Sequence, residues 1–220
     1  NTSASTIRRD ITALADMGKL KKVYGGASAI MSNFIFDESD VNTKASQNIT
    51  QKDQIAQYAS KLINNDDFIF IDAGTTTLRL TDFIQPSKAI FVTNGIVHAK
   101  KLAAKNLKVY IIGSEIKTSA EATTGSVAVK NIKKYNFTKC FLGTNGISIE
   151  NGFTTSNIDE ALIKQSAIEN SCVSFVLADS SKFDKVSSVT FAKLEQARII
   201  TDKAKNHQYL EKTIIKEVSK

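Results

Sequence analysis

Short apolar runs recur along most of the chain, and helical patterns separate several of them. The helical patterns lie near residues 52–65, 78–84, 96–105 and 158–170, where apolar positions recur at the spacing of one helix face. The apolar runs are Phe68–Ile71, Ala89–Val92, Val109–Ile112, Cys140–Leu142, Val173–Ala178 and Arg198–Ile200. Strands that alternate with helices predict an α/β fold, with a mostly parallel sheet and flanking helices.

One region departs from this alternation. Residues 106–130 read as strand, turn and strand, over Val109–Gly113, Glu115–Ala120 and Thr123–Val129. Consecutive strands joined by short turns are typical of β-hairpins. We therefore expect a hairpin inserted into the α/β body.

The N-terminal residues form a separate amphipathic pattern. Ile7, Ile11 and Leu14 recur at helical spacing and make one apolar stripe. Ser3 is placed to cap this helix, and Gly18 is placed to end it. The pattern predicts a single helix between these two residues.

A short basic segment follows the helix. Leu20 and Val23 are placed to anchor a β-wing, and Gly25-Gly26 is placed to turn the chain. Lys21 and Lys22 lie between the two apolar positions, where their ammonium groups could reach phosphates. A helix followed by a basic wing favours a DNA-binding head.

Charge supports this interpretation of the N-terminal segment. The chain has a net charge of +7, and residues 1–30 hold five lysines and arginines against two aspartates. Ser5, Arg9 and Thr12 lie on the helix face opposite the apolar stripe, with Arg8 on its flank, and such side chains suit the major groove. The alternative is an ordinary amphipathic helix with a solvated basic face. The candidate DNA-binding residues are Ser5, Thr6, Arg8, Arg9, Thr12, Lys21 and Lys22.

These patterns divide the chain into three segments. Residues 1–30 form the DNA-binding head, and residues 31–51 form a linker, in which a mildly apolar stretch up to Ile35 is followed by polar residues with no sustained period from Asp37 to Gln51. Residues 52–220 form the α/β domain.

Composition limits the remaining classes of protein. The hydrophobic content of 42% is enough for a substantial core, and no apolar run approaches the roughly 20 residues that span a membrane. Cys140 and Cys172 lie in or beside apolar runs, so we expect buried free thiols in a reducing cytoplasm. The cysteines and histidines show no zinc spacing, and we expect no metal and no cofactor. The chain starts at Asn1 rather than Met, so further residues could precede it.

Polar residues follow four of the predicted strands. Asp72 to Thr77 follow the first, Thr93-Asn94-Gly95 the second, Gly143 to Ile147 a third, and Asp179 to Lys182 a fourth. Ligands bind beyond the carboxyl ends of parallel strands, so these endings predict one polar pocket. The alternative is a set of independent loops.

The stretch Phe68–Thr77 is the clearest part of the predicted pocket. A buried strand, a turn at Gly74 and three threonines lead into a helix whose N-terminus suits a phosphate. The alternative is an ordinary strand-to-helix loop, in which the threonines only cap the helix. Lys182 is the natural cation to pair with the phosphate.

Carboxylates and amides of the same pocket could take sugar hydroxyls. The side chains in question are Asp72, Asn94, Asn145, Asp179 and Glu160. Lys164 lies four residues after Glu160, so these two could instead form a simple ion pair on the helix surface. The candidate effector-binding residues are Asp72, Gly74, Thr75, Thr76, Thr77, Thr93, Asn94, Gly95, Gly143, Asn145, Gly146, Thr154, Glu160, Asp179 and Lys182.

The head resembles a known family. The run Ser3-x-Ser-Thr-Ile-Arg-Arg-Asp-Ile11 and the run Val23-Tyr-Gly-Gly-Ala27 are similar to the recognition helix and wing of DeoR-family bacterial transcriptional repressors. In that family earlier helices complete a winged helix-turn-helix. The resemblance implies that this chain begins inside that domain, and we expect it to bind operator DNA poorly by itself.

The body resembles the sensor domain of the same family. The similar stretches are Asp72-x-Gly-Thr-Thr-Thr77, Val92-Thr-Asn-Gly95, Phe141-Leu-Gly-Thr-Asn-Gly-Ile147, Gly152-Phe-Thr-Thr155, Asp159-Glu-Ala-x-x-Lys164, Leu177-Ala-Asp-Ser-Ser-Lys-Phe183 and Ile199-Ile-Thr-Asp202. The resemblance implies a phosphorylated-sugar effector and a fold related to ribose-5-phosphate isomerase, glucosamine-6-phosphate deaminase and CoA transferases. At Gly113-Ser-Glu115 the chain departs from relatives that often have a second glycine there.

The first hypothesis is therefore a cytoplasmic repressor of a sugar-utilisation operon, with operator DNA and a phosphorylated sugar as its partners. A homodimer or homotetramer is expected, because winged-helix heads usually read two half-sites. The second hypothesis is a sugar-phosphate isomerase or deaminase, with Asp72, Glu160 or Asp179 as a base. A nucleotide-binding module is weaker, because the Gly74 loop lacks the glycine-lysine pair of a P-loop.

Overall fold

A computed structural model describes residues 2–17, 20–29, 33–35, 41–113, 115–204 and 206–218. The chain divides into two compact units, Asn1–Phe34 and Ile35–Lys220.

The first unit contains a helix and a hairpin. Helix α1 spans Ala4–Asp16, and the antiparallel strands β1 (Leu20–Val23) and β2 (Gly26–Ala29) follow it. Ser3 caps α1, because its hydroxyl accepts a hydrogen bond from the Thr6 N–H at 3.2 Å. The predicted helix, cap and wing are confirmed, whereas Gly18 lies outside the described residues.

The second unit alternates helices and strands. Its helices are α2 (Val41–Ser46), α3 (Ile49–Ser60), α4 (Thr75–Phe83), α5 (Ile96–Ala104), α6 (Ser126–Ile132) and α7 (Ile158–Glu169). Its strands are β3 (Phe68–Ile71), β4 (Ile90–Thr93), β5 (Lys108–Ile111), β6 (Glu115–Lys117), β7 (Ala122–Thr124), β8 (Phe137–Gly143), β9 (Gly146–Ser148), β10 (Gly152–Thr155), β11 (Ser171–Leu177), β12 (Val189–Ala192), β13 (Arg198–Thr201) and β14 (Ile215–Glu217).

Within the described ranges, seven parallel strands form the main sheet in the order β14-β13-β11-β8-β3-β4-β5. Apolar clusters cover both of its faces, one containing Phe70 and Phe153 and the other Ile69 and Phe91. Burial on both faces explains why the central strands read as nearly continuous apolar runs. The predicted α/β fold with a mostly parallel sheet is confirmed.

Smaller antiparallel sheets flank the main one. Strands β12, β10 and β9 form one of them, and β6 and β7 form the hairpin expected between β5 and α6. The expected third strand, Thr123–Val129, is wrong beyond Thr124. Gly125 has a φ of +92°, which ends the strand, and α6 then buries Ala128 and Ile132 at helical spacing.

Two other expectations change in the structure. Part of the segment expected as a linker is helical, because α2 and the start of α3 lie within it and belong to the second unit. Cys140 is buried as expected, but Cys172 is exposed. None of the helices in the described ranges is long and apolar enough to cross a membrane.

Candidate functional site

The carboxyl ends of β3, β4 and β8 open into a cleft. Loops that follow neighbouring parallel strands converge at this edge of the sheet, which is where ligands bind in such folds. The cleft is lined by the loop before α4, the end of β8, and residues of α2, α3 and α7. The hairpin β6–β7 contributes Ala120 and Ala122.

Helix α4 presents its N-terminus to the cleft. Gly74 occupies the N-cap position, and Thr75 and Thr76 of the first turn line the cleft. The first N–H groups of a helix have no carbonyl partner within it, and the helix dipole makes this end positive. The arrangement suits an anion such as a phosphate.

Buried side chains hold the turn before α4 in place. Thr77 Oγ1 accepts a hydrogen bond from the Gly74 N–H at 2.9 Å and lies 2.8 Å from Asp72 Oδ1. His98 Nε2 lies 3.1 Å from the Gly74 carbonyl oxygen. Burial lowers the pKa of His98 to about 4, so the ring is neutral at pH 7 and its Nε2–H donates to that carbonyl. The side chains of Asp72, Thr77 and His98 therefore fix the position of the helix N-terminus.

Asp72 and Lys164 form a buried ion pair at the cleft. Lys164 Nζ contacts Asp72 Oδ2 and donates to the Gly143 carbonyl oxygen at 3.0 Å, while the Gly143 N–H donates to Asp72 Oδ2 at 2.8 Å. Burial by itself would raise the pKa of Asp72, but Lys164 and the hydrogen bonds from Thr77 and Gly143 outweigh it and hold the pKa below its usual value. These contacts tie β3, β8 and α7 together.

The alternative in which Glu160 and Lys164 pair on the helix surface is wrong. Lys164 bonds to Asp72, and Glu160 instead accepts from Lys117 Nζ at 2.9 Å and from the Thr155 hydroxyl at 3.2 Å. Both side chains line the cleft. The spacing of four residues places them on one helix face, but each of them forms its ion pair with a residue of another element.

Three further lysines line the cleft, namely Lys44 from α2, Lys52 from α3 and Lys182 from the short helical turn Ser180–Lys182. Lys52 is only 4% exposed, and its Nζ donates to the backbone carbonyl of Lys44. Burial lowers the pKa of Lys52 and of Lys182, Asp179 opposes that shift, and the neighbouring lysines add to it. A bound anion would relieve this excess of positive charge.

Amide groups line another part of the cleft. Asn94 Nδ2 donates to the Thr123 carbonyl oxygen at 3.3 Å, which fixes the orientation of the amide, because that oxygen can only accept. Asn94 Oδ1 is then buried without a hydrogen-bond partner among the described residues. Asn145 Nδ2 donates to the Ser156 hydroxyl at 3.1 Å. Together with Glu160, these groups suit a ligand that carries hydroxyls.

The structure brings most of the candidate effector-binding residues together in the cleft. Those that line it are Asp72, Gly74, Thr75, Thr76, Asn94, Gly143, Asn145, Glu160 and Lys182. Those that do not line it are Thr77, Thr93, Gly95, Gly146, Thr154 and Asp179.

The candidates outside the cleft hold the surrounding turns. Thr93 Oγ1 accepts from the Gly95 N–H at 3.0 Å. Thr154 Oγ1 donates to the Gly146 carbonyl oxygen at 3.2 Å and accepts from the Ser187 N–H at 2.9 Å. These bonds give the threonines a role in the fold, so their direct contact with a ligand is not needed to explain them.

Asp179 acts next to the cleft without lining it. Its Oδ1 accepts hydrogen bonds from Asn48 Nδ2 and from the Ser181 N–H, both at 3.0 Å. Its charge also favours the protonated forms of Lys52 and Lys182. Asp179 therefore supports the lysines of the cleft.

Sequence patterns do not identify Lys44 and Lys52 as cleft residues. Lys44 falls in the segment expected as a linker. Lys52 reads as the polar start of a helix, yet it shares a buried face with Ile55, Ala56 and Ala59, at positions i, i+3, i+4 and i+7. A lysine on the apolar face of a helix is the signal that could have singled it out.

The candidate DNA-binding residues lie in the first unit. Ser5, Thr6, Arg8 and Arg9 are exposed on α1, and Thr12 is partly buried. Thr12 Oγ1 donates to the Arg8 carbonyl oxygen at 2.9 Å and accepts from Lys22 Nζ at 3.1 Å. Lys22 therefore lies against the helix, whereas the side chain of Lys21 lies outside the described part of the chain.

The fold is similar to that of two solved proteins at low identity. Ribose 5-phosphate isomerase A of Methanocaldococcus jannaschii matches with a TM-score of 0.47 and 12% identity, covering 62% of this chain and 55% of that one. Translation initiation factor eIF-2B of Pyrococcus horikoshii OT3 matches with a TM-score of 0.45 and 15% identity, covering 63% and 49%. The chain thus spans about half the length of each.

Curated relatives align over nearly the whole chain. HTH-type transcriptional regulator FruR of Bacillus subtilis (strain 168), described as uncharacterized, is 43% identical, with 99% of this chain and 88% of that protein aligned. IolR of the same strain, also an HTH-type transcriptional regulator, is 33% identical, with 95% of this chain and 83% of that protein aligned. The lactose phosphotransferase system repressor of Staphylococcus aureus (strain N315) is 32% identical over 89% and 78%.

Family models match both units. The DeoR-like helix-turn-helix domain matches residues 1–33, and the DeoR C terminal sensor domain matches residues 47–203. The relatives named above are transcriptional regulators rather than enzymes. The chain belongs to the DeoR family of helix-turn-helix transcriptional regulators.

Proposed function

We propose that this regulator represses a sugar-utilisation operon, and that a phosphorylated sugar bound in the cleft controls its affinity for operator DNA. The observation that carries the proposal is the group of lysines beside the N-terminus of α4, within the sensor unit of a transcriptional regulator. One relative is named as a repressor of a lactose phosphotransferase system, which supports a link to sugar uptake.

The phosphate would bind at the N-terminus of α4. The backbone N–H groups of Thr75 and Thr76 would donate to its oxygens, and Lys182 and Lys52 would supply positive charge. Among the described residues, four lysines and two carboxylates line the cleft, and their charges sum to +2. A phosphate monoester carries a charge of about −1.5 to −2 at pH 7, so it would nearly neutralise the cleft.

The sugar would extend toward the amide groups. Asn94 Oδ1 needs a hydrogen-bond donor, and a hydroxyl of the ligand would supply one. Asn145 and Glu160 offer further polar groups in the same cleft. Asp72 is less suited to this role than expected, because Lys164, Thr77 and the Gly143 N–H already bond to its oxygens.

The head would read operator DNA in the cytoplasm. Arg8 and Arg9 are exposed on α1, where guanidinium groups can pair with guanine in the major groove. Lys21 and Lys22 of the wing would contact phosphates. A homodimer or homotetramer would present two heads to two half-sites.

Fluorescence anisotropy of the full-length protein with DNA from the promoter regions beside its gene tests the proposal. Each sugar phosphate of a panel is added next to the same sugar without phosphate. We expect at least one phosphorylated sugar to change the affinity for one DNA fragment at least several-fold, while its free sugar has no effect. DNA binding that no sugar phosphate alters would contradict the proposal.

A further inference from the structure

Helix α2 lies between the head and the main sheet in sequence. Among the described residues it is the first helix after the head, and it precedes the sheet that bears the cleft. Val41 and Lys44 of α2 both line the cleft. A segment that joins the head to the body in sequence thus also lines the candidate ligand site.

Polar contacts fasten α2 and the turn after it. Lys52 Nζ donates to the Lys44 carbonyl, near the C-terminal end of α2. Asn48 has a φ of +52° and donates from Nδ2 to Asp179 Oδ1 at 3.0 Å and to the Ser181 hydroxyl at 3.3 Å. No residue of α2 is fully buried. Contacts around the cleft, rather than a buried apolar side chain, therefore hold this helix.

Positive charges lie close together at these contacts. Lys44 lowers the pKa of both Lys52 and Lys182, and Asp179 raises the pKa of both. Like charges brought together in a partly buried site repel one another more strongly than in water. An anion between these lysines would convert the repulsion into attraction.

We propose that Lys44 binds the phosphate of the effector, and that this contact holds α2 on the cleft and makes α2 the element through which the effector acts on the head. This inference rests on the proposed function and adds the means of coupling. A ligand shifts an equilibrium only through its different affinity for the two states. Lys44 would supply that difference, because it reaches the anion only when α2 is docked.

Amide hydrogen exchange followed by mass spectrometry tests the inference, with inorganic phosphate as the probe and chloride at equal ionic strength as the reference. We expect phosphate to slow exchange several-fold in peptides that cover residues 41–48. Lys44→Gln should weaken phosphate binding about tenfold and abolish this slowing. Lys44→Arg, which keeps the charge, should retain most of it, and Lys61→Gln, at an exposed position, should behave like the parent protein.

The outcomes separate this inference from the proposed function. Phosphate binding that depends on Lys182 but leaves residues 41–48 unchanged would overturn the role of α2 and leave the ligand site intact. Slowing that persists in Lys44→Gln would also overturn it. If neither phosphate nor any sugar phosphate binds, both the inference and the proposed function fail.

Discussion

Asp72 remains charged in the interior because Lys164, Thr77 and the Gly143 N–H replace the water that it loses. Removing one partner of a buried ion pair typically costs about 3–5 kcal/mol, since the other charge is left uncompensated. We therefore expect Lys164→Met to lower the free energy of unfolding by about that amount in urea denaturation.

The pair between Lys117 and Glu160 offers a matched control. Its side chains are 26% and 21% exposed, so water screens the two charges. Lys117→Met should cost about 1 kcal/mol or less. Equal losses for the two lysine variants would show that burial does not govern the strength of these pairs.

Lys52 should link ligand binding to pH. Burial lowers its pKa in the free protein, and a phosphate beside it would raise the pKa again. Phosphate binding should therefore take up protons. The affinity for phosphate should be highest at a pH below the pKa that Lys52 has in the free protein. It should decline as the pH rises from there toward the pKa that Lys52 has in the bound protein. Calorimetry with phosphate at about pH 9, where phosphate is a dianion, should detect this uptake in buffers of different ionisation enthalpy.

Lys52→Arg is the corresponding test variant, because a guanidinium group stays protonated at that pH. We expect reduced proton uptake in this variant and unchanged uptake in Lys61→Arg. Uptake that is the same in all three proteins would exclude Lys52 as its source.

At the scale of residues, site residues could be predicted where polar side chains directly follow a strand or begin a helix. Asp72, Gly74 and the threonines are visible because they follow a strand and begin a helix. Lys52 could have been noticed as a lysine on an apolar helix face, but its place in the cleft, like that of Lys44 and like the true partners of Lys164, depends on which distant elements meet.

At the scale of elements, six of the seven strands described in the main sheet could be predicted, because burial of the central strands on both faces leaves apolar runs. The edge strand β14 is largely exposed, carries no such run and was not expected. The ends of the six predicted strands shift by only a few residues, as in β8, which spans Phe137–Gly143 where Cys140–Leu142 was expected. Errors concentrate in short polar elements. Helix α2 has no buried residue, so its sequence carries no apolar stripe, and α6 begins at a glycine-led turn within an apparent strand.

The turn at Gly146 gives a test at this scale. A Cβ added there would lie 2.4 Å from the Lys185 carbonyl oxygen and 2.9 Å from Thr154 Oγ1, so neighbouring backbone must move. Gly146→Ala should lower the free energy of unfolding by about 1–3 kcal/mol, as overpacking does. Gly26→Ala is the control, because a Cβ there meets nothing within 4 Å. A Gly146→Ala protein as stable as the control would contradict the close packing of this turn.

At the scale of the whole molecule, operator recognition and effector binding are expected to be reciprocal. If a sugar phosphate changes the affinity for DNA by some factor, DNA must change the affinity for that sugar phosphate by the same factor.

Arg9 provides a test of the head. If Arg9 pairs with a base, Arg9→Ala in the full-length protein should weaken operator binding by about 1–3 kcal/mol while leaving random DNA much less affected. Anisotropy titrations on both DNAs at one salt concentration would measure the difference. An equal loss on operator and random DNA would instead indicate a phosphate contact.

We propose above all that the cleft recognises a phosphorylated sugar through Lys182. Calorimetric titration with the sugar phosphate that alters DNA binding tests this recognition most directly, alongside the same sugar without phosphate. We expect saturable binding of the phosphorylated sugar alone, lost in Lys182→Ala and kept in Lys193→Ala, whose side chain is exposed. Equal binding of the free sugar, or undiminished affinity in Lys182→Ala, would contradict it.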